Sequence, residues 1–277
     1  MPYSFVIELY SQNEIRESHL VPRIQYALAL NIIRTVEPAL SAYLHDQSSN
    51  KSITLRTLWH KNNFLTLRLT LLDDILFEKF ATVLIDACIP VFPLNDIAVK
   101  ISKITSSNES ENFWAGYKPY KEIYENASHE NLSFRFNLIT PVCFKKGDSY
   151  MPFPLPDLFF KSLHKRWNEY SEIKFDDSLT ELFEKHIAAN NFQLETKYLT
   201  DKNIKFTGAT GKVNFKITGK PPKEFIHYIN TLADYVYFAG VGIKTTMGMG
   251  QVVRVDTGGG QSSTADTRPA ATACPEP

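Results

Sequence analysis

The chain has 277 residues, thirty Lys and Arg against thirty Asp and Glu, and is 43% hydrophobic and 22% charged. Such a chain buries a sizeable core without staples, and its zero net charge neither implies nor excludes a polyanionic partner. Cys88, Cys143 and Cys274 lie far apart with no CxxC pair, which argues against a disulfide framework and a zinc site. Residues 3–9 (YSFVIEL) read as a strand, and residues 22–44 carry apolar side chains at helical spacing with Pro22 near the start. Residues 52–58 leave room for a further strand or hairpin, and FLTLRLTLL over 64–72 alternates as a strand with one buried face. A helix over 75–87, closed by Pro90, and a strand over 96–104 complete the first half.

The second half repeats this grammar. Residues 132–144 predict a strand interrupted at Pro141, 154–170 a helix entered through a proline-rich turn, and 177–189 another helix. Residues 192–199 and 212–217 predict a strand pair bridged by a polar stretch holding Gly208 and Gly211. A helix over 222–238, a glycine-rich loop and a short strand over 251–255 close the unit. Two tandem βαββαβ units of α+β class, each an antiparallel sheet with helices on one face, account for this order. The boundary falls in the polar, poorly periodic stretch 120–130, giving domains over 1–125 and 126–256. Residues 257–277 hold Gly, Ser, Thr, Ala and Pro without a large apolar side chain, and predict a disordered tail.

The loop over 240–250 reads GVGIKTTMGMG. Glycine permits positive φ and close approach to a ligand, and successive amide N–H groups can cradle an anion, with Lys244 adding charge and Thr245 and Thr246 hydroxyl donors. The helix precedes this loop and the lysine precedes its last glycines, so neither a nucleotide-hydrolase P-loop nor a dinucleotide fingerprint fits. A long turn that uses glycine only for conformational freedom is the plain alternative. Around the loop, residues 201–256 hold eight Lys and Arg against four acids, the local footprint a nucleic acid would use.

Among seven histidines, only His45 has a suggestive neighbourhood, LHDQSSNKSITL over 44–55, where a long helix gives way to a polar turn. Imidazole passes protons near neutral pH, and Lys51 can stabilise charge building on phosphorus. The simpler reading makes His45 a helix C-terminal cation. HExxH and GxSxG are absent, and adjacent Asp73 and Asp74 do not face one way. No metal or cofactor is expected. Residues 1–10 lack the basic start of a signal peptide, and no apolar run approaches ~18 residues, so the expectation is cytoplasmic with no membrane partner.

Three stretches in order, LHDQSSNKSITL (44–55), LITPVCFKKGDSYMPFPLPDLFFKSLHKRWNEY (138–170) and FAGVGIKTTMGMGQ (238–251), resemble the CRISPR repeat-processing endoribonucleases. These belong to the repeat-associated RNA-binding superfamily, and the similarity spans residues 1 to about 256. The resemblance implies tandem ferredoxin-like (RRM-like) domains. It implies metal-independent cleavage of precursor CRISPR RNA within the repeat, by attack of the RNA's own 2′-hydroxyl. The products would carry a 2′,3′-cyclic phosphate and a 5′-hydroxyl. His45 matches the family's general acid/base, Lys51 a basic residue six positions on, and Tyr26 a tyrosine from the first helix, with Tyr43 also near. Gly240, Gly242, Lys244, Thr245, Thr246, Gly248 and Gly250 would line the RNA path, with backbone contacts from Lys145, Lys146, Lys161, Lys165 and Arg166. The implied partners are repeat RNA, as precursor and product, and other subunits of a CRISPR effector complex. A non-catalytic RNA-binding subunit of such a complex and a small-molecule phosphate binder are the competing readings.

Overall fold

Alternation of buried leucines along Phe64–Leu71 builds the first lobe. The computed structural model describes residues 1–36, 38–46, 51–74, 91–108, 112–201 and 204–255; the helix expected over 75–87, Cys88, Cys274 and the tail lie outside them. The first lobe runs β1 (Tyr3–Tyr10), α1 (Pro22–Val36), α2 (Pro38–Asp46), β2 (Ile53–Lys61), β3 (Phe64–Leu71), β4 (Val91–Leu94) and β5 (Ile97–Thr105). Its antiparallel sheet has the order β2-β3-β1-β5-β4, and a two-residue β6 (Gly116–Tyr117) also pairs with β1. Phe5, Ile7 and Leu9 of β1 and Leu65, Leu67, Leu69 and Leu71 of β3 pack with Leu28, Ala29, Ile32 and Ile33 of α1. One sheet face thus carries the helices, as period-2 patterning requires.

The second lobe contains α3 (Tyr120–Glu125), β7 (Ser133–Val142), a small hairpin of β8 (Phe144–Lys146) and β9 (Ser149–Met151), and α4 (Pro156–Tyr170). It continues with α5 (Glu181–His186), β10 (Ile187–Asp201), β11 (Ile204–Ile217), α6 (Lys223–Ala239) and β12 (Val252–Val255). The sheet order β10-β11-β7-β12 matches β2-β3-β1-β5 of the first lobe. This is the ferredoxin-like arrangement, twice over. The second core is aromatic: Phe134, Phe136, Phe159, Phe160, Phe215 and Trp167 are all buried, each ring pair adding about 0.5–1.5 kcal/mol beyond its buried area.

The structure corrects several expected boundaries. The helix expected over 22–44 is two helices, the second starting on Pro38, because a proline gives no N–H and disfavours helical backbone before it. The helix expected over 177–189 is a 3₁₀ turn (Asp177–Thr180) and the short α5; Ala188 and Ala189 already belong to β10. The polar bridge expected between two short strands is itself sheet: β10 and β11 pair from Ile187↔Ile217 to Asp201↔Ile204. Gly208 and Gly211 sit inside β11 because the register against β7 slips between Ala209 and Gly211, opposite Pro141, which cannot donate to a ladder. The polar stretch 120–130 holds α3, whose Tyr120 and Ile123 are buried in the second core.

The lobes meet across the face of the first sheet opposite α1. Arg68 of β3 is 1% exposed. Its guanidinium donates from Nε to Ser4 Oγ (2.8 Å), from Nη1 to Gln251 Oε1 (2.7 Å) and from Nη2 to the Tyr237 carbonyl (2.7 Å). Its plane lies 4.2 Å from the Tyr237 ring and 4.9 Å from Trp114. Gln251 Nε2 donates to Thr54 Oγ1 at 3.2 Å, and Thr70 Oγ1 donates to the Phe238 carbonyl at 3.1 Å. A central-strand arginine therefore locks the last turn of α6 and the entry to β12 onto the first lobe. Neither Arg68 nor Gln251 stood out in the sequence; the signal was a lone arginine amid FLTLRLTLL.

Candidate active site and glycine-rich loop

The last turn of α2 ends on Leu44, His45 and Asp46, leaving backbone carbonyls without intrahelical partners. Lys51 supplies them. Its Nζ donates to the Leu44 carbonyl at 2.8 Å, to the Tyr26 hydroxyl at 2.6 Å and to the His45 carbonyl at 3.5 Å. The Tyr26 hydroxyl in turn donates to the Leu44 carbonyl at 2.9 Å, and the ammonium lies 4.7 Å from the Tyr26 ring centroid. The partial negative charge at a helix C-terminus favours a cation here. Burial pushes the Tyr26 hydroxyl up to about 12, so it is a protonated donor at neutral pH. The structure thus brings Tyr26, not the exposed Tyr43, to Lys51. The His45 side chain is exposed on the same helix end.

The 3₁₀ turn Thr245–Met247 of the glycine-rich loop packs against β2 and α1, the element after Lys51 and the element bearing Tyr26. Gly248 lies against the Leu55 carbonyl. Loop and corner therefore share one side of the molecule.

Much of the loop is folded on itself and its neighbours rather than forming the open amide cradle expected of it. The N–H groups of Val241 and Gly250 bond the Gly250 and Pro141 carbonyls at 2.8 and 2.9 Å. Gly242 donates to Ser162 Oγ at 2.9 Å and Ile243 to the Cys143 carbonyl at 2.9 Å. Met247 and Met249 donate to the Lys244 carbonyl at 2.9 and 3.2 Å. The glycines allow this close folding: Gly242 and Gly250 have φ of 75° and 72°, and a Cβ on them would run into the Cys143 and Val241 carbonyl oxygens. Gly242→Ala is expected to destabilise the chain by about 1–3 kcal/mol; an unchanged melting temperature would refute this tight packing.

Arg166, expected to contact RNA, lies beneath the loop at 5% exposure. It donates to Thr245 Oγ1 (2.8 Å), to the Gly242 carbonyl (3.4 Å) and to the Ala239 carbonyl. A planar fork with several donors suits such propping. Thr245 and Thr246 are buried as well. Lys244 is the loop's outward charge, held in left-handed backbone (φ 57°) with Nζ 5.3 Å from the Phe206 ring of β11. Lys145, Lys146, Lys161 and Lys165 are exposed, Lys161 beside Asp157 at 3.6 Å. Among the described residues no three His, Cys, Asp or Glu side chains converge as a metal would require, and no described helix is long and apolar enough to cross a membrane.

Comparison with known proteins matches both lobes. The CRISPR Cas6 N-terminal domain model covers residues 1–66 and the CRISPR-associated endoribonuclease Cas6 model covers residues 136–252. A CRISPR-associated endoribonuclease Cas6 of Streptococcus thermophilus is 28% identical over 215 residues, 76% of this chain and 82% of that one. A Mycobacterium tuberculosis relative of the same name is 29% identical over 127 residues, 46% of this chain and 40% of its own. Among solved structures, a Cas6 product complex superposes with a TM-score of 0.81 at 28% identity, covering 92% of this chain and 100% of the other. Thermus thermophilus Cas6 gives a TM-score of 0.73 at 26% identity, covering 92% and 98%.

Proposed function

The chain belongs to the CRISPR-associated endoribonuclease Cas6 family, and from that premise we propose that it cleaves precursor CRISPR RNA within the repeat without a metal, by attack of the 2′-hydroxyl on the adjacent phosphodiester. The observation that carries the reading is the corner in which Lys51 bridges Tyr26 and the end of α2 that presents His45. The reaction needs a proton removed from the 2′-hydroxyl, a proton given to the departing 5′-oxygen, and positive charge near the phosphorane. His45 moves the proton. Lys51 supplies the charge. Tyr26 holds the ammonium in place rather than reacting.

The leaving 5′-oxygen ends as a hydroxyl and the 2′-oxygen ends bonded to phosphorus, so the products are a 2′,3′-cyclic phosphate and a 5′-hydroxyl. Exposed Lys244, with Lys145, Lys146 and Lys165, contacts RNA phosphates, while Arg166, Thr245 and Thr246 shape the loop from beneath. The partner is repeat RNA as precursor and product. Association with other CRISPR subunits and cytoplasmic location belong to the same proposal, as does a division into two domains, with the expected 125/126 boundary moved to before α3 because Tyr120 and Ile123 pack in the second core. Incubation with repeat RNA in EDTA should give cleavage, and a single 2′-deoxy nucleotide just upstream of the cut should block it. Cleavage abolished by the chelator, or undiminished by the deoxy substitution, would defeat the reading.

A further inference from the structure

The first sheet has a second use on the face opposite α1. Strand register arranges that face in cross-strand rows. One row reads Thr54, Thr70, Ser4; the next reads Arg56, Arg68, Val6, Thr105; both lie at the seam with the second lobe. Beyond them come Trp59, Thr66, Glu8 and Lys103, and then Lys61, Phe64, Tyr10, Lys100 and Val91. A bulge between Thr57 and Trp59 turns Trp59 onto this face. Thr54, Thr70, Ser4, Arg68 and Val6 of the first two rows are buried and Arg56 and Thr105 half-buried, while the aromatic and lysine side chains of the outer two rows are exposed. Tyr10 is 39% exposed, Phe64 42% and Trp59 42%, and the Tyr10 and Phe64 rings lie 5.2 Å apart on the two central strands. Lys61 and Lys100, both exposed, end the aromatic pair on either side. Lys103 stands in the next row with its Nζ 3.9 Å from Glu8, the one acid of the two rows.

We propose that this uncovered half-sheet binds single-stranded RNA, with unpaired bases stacked on Tyr10, Phe64 and Trp59 and phosphates held by Lys61, Lys100 and Lys103. Exposed aromatics on the central strands of a four-stranded sheet stack bases in RNA-binding folds of this topology, and flanking cations follow the backbone. Three exposed rings would be a solubility liability on a surface without a ligand. Three lysines against one glutamate select a polyanion over an apolar protein partner.

The surface is separate from the His45 corner. That corner lies at the Ile53 end of β2 on the helix side, and the platform lies at the Lys61 end on the other side, about 26 Å of strand away at ~3.3 Å per residue. It would therefore hold a flanking segment and leave the chemical step untouched. The inference rests on the reading that this chain handles RNA, but its test does not depend on cleavage.

The probe is a labelled unstructured 12-nucleotide RNA titrated with the whole chain by fluorescence anisotropy. Tyr10→Ala/Phe64→Ala should weaken binding about ten- to a hundredfold. Lys61→Ala/Lys100→Ala should flatten the salt slope by about 0.7 for each lost contact. Ultraviolet crosslinking of the unaltered chain should place adducts on Tyr10, Phe64 or Trp59, which keeps the proposal testable if a variant misfolds. In repeat-RNA cleavage the aromatic variant should raise KM and leave kcat unchanged. A wild type that binds the oligonucleotide through these rings yet cuts nothing would sink the nuclease reading alone. Unchanged oligonucleotide affinity in folded variants, or crosslinks confined to other surfaces, would overturn the platform and leave the patch to a protein partner.

Discussion

Replacing His45 with alanine should lower the single-turnover rate of repeat cleavage by about 10²–10⁴-fold while RNA affinity stays within a factor of a few. The asymmetry follows from position. The imidazole is exposed at the tip of α2, and the backbone carbonyl of the same residue, not its ring, is what Lys51 bonds. Alanine keeps that carbonyl and the helix end, so the lysine remains anchored to Leu44 and Tyr26. What disappears is the proposed proton carrier. The expected signature is therefore a fall in the chemical step with binding intact. Normal cleavage rates in the variant would move proton transfer to another group. His60 of β2 would be next to test, although its Nδ1 stands 4.0 Å from Glu17.

Arg68→Ala should be the most destabilising single change at the seam between the lobes, by about 3 kcal/mol. Truncation leaves the Tyr237 carbonyl, Gln251 Oε1 and Ser4 Oγ short of a donor in a buried site. One effect opposes this. Arg56 faces Arg68 directly across β2 and β3, and burial together with the Arg68 charge pushes the Arg56 guanidinium down to about 10. Relief of like charge directly across a strand pair contributes roughly 0.2–1 kcal/mol, less than the loss of three hydrogen bonds to one buried cation. Arg68→Lys should recover little, since one ammonium cannot reproduce a planar fork to three acceptors. Thermal melting of the two variants checks this. A melting temperature equal to the parent in Arg68→Ala would mean that the lobes are held by apolar packing instead.

The central strands of both lobes were legible in the sequence because they alternate cleanly, the buried Leu65, Leu67, Leu69 and Leu71 being the plainest case, whereas β4, β6 and the β8–β9 hairpin are too short to carry such a period. Of the long β10–β11 arm only residues 192–199 and 212–217 read as strand in the sequence. Beyond the core its residues are largely exposed, so no apolar period marks them, and their strand state comes from pairing along the whole hairpin. The glycine-rich loop was found but misread in part. Glycine signals unusual backbone, yet whether the freed amides face a ligand or neighbouring carbonyls depends on Cys143 and Pro141, a hundred residues earlier. Arg166 shows the same limit, since a basic helix position reads as surface until the loop that covers it is placed. In the candidate site, local spacing supplied His45 and Lys51. The choice of Tyr26 over Tyr43 needed the packing of α1 beside α2, which Ser41 ties to the Leu30 carbonyl at 3.0 Å.

Mass spectrometry of the RNA ends produced by the purified chain tests the central claim most directly, because the identity of the phosphate end reports which oxygen attacked. A 2′,3′-cyclic phosphate on the upstream fragment and a 5′-hydroxyl on the downstream one are predicted for a 2′-hydroxyl nucleophile served by His45 and Lys51. A 3′-hydroxyl paired with a 5′-phosphate would mean that water was the nucleophile and would contradict the account.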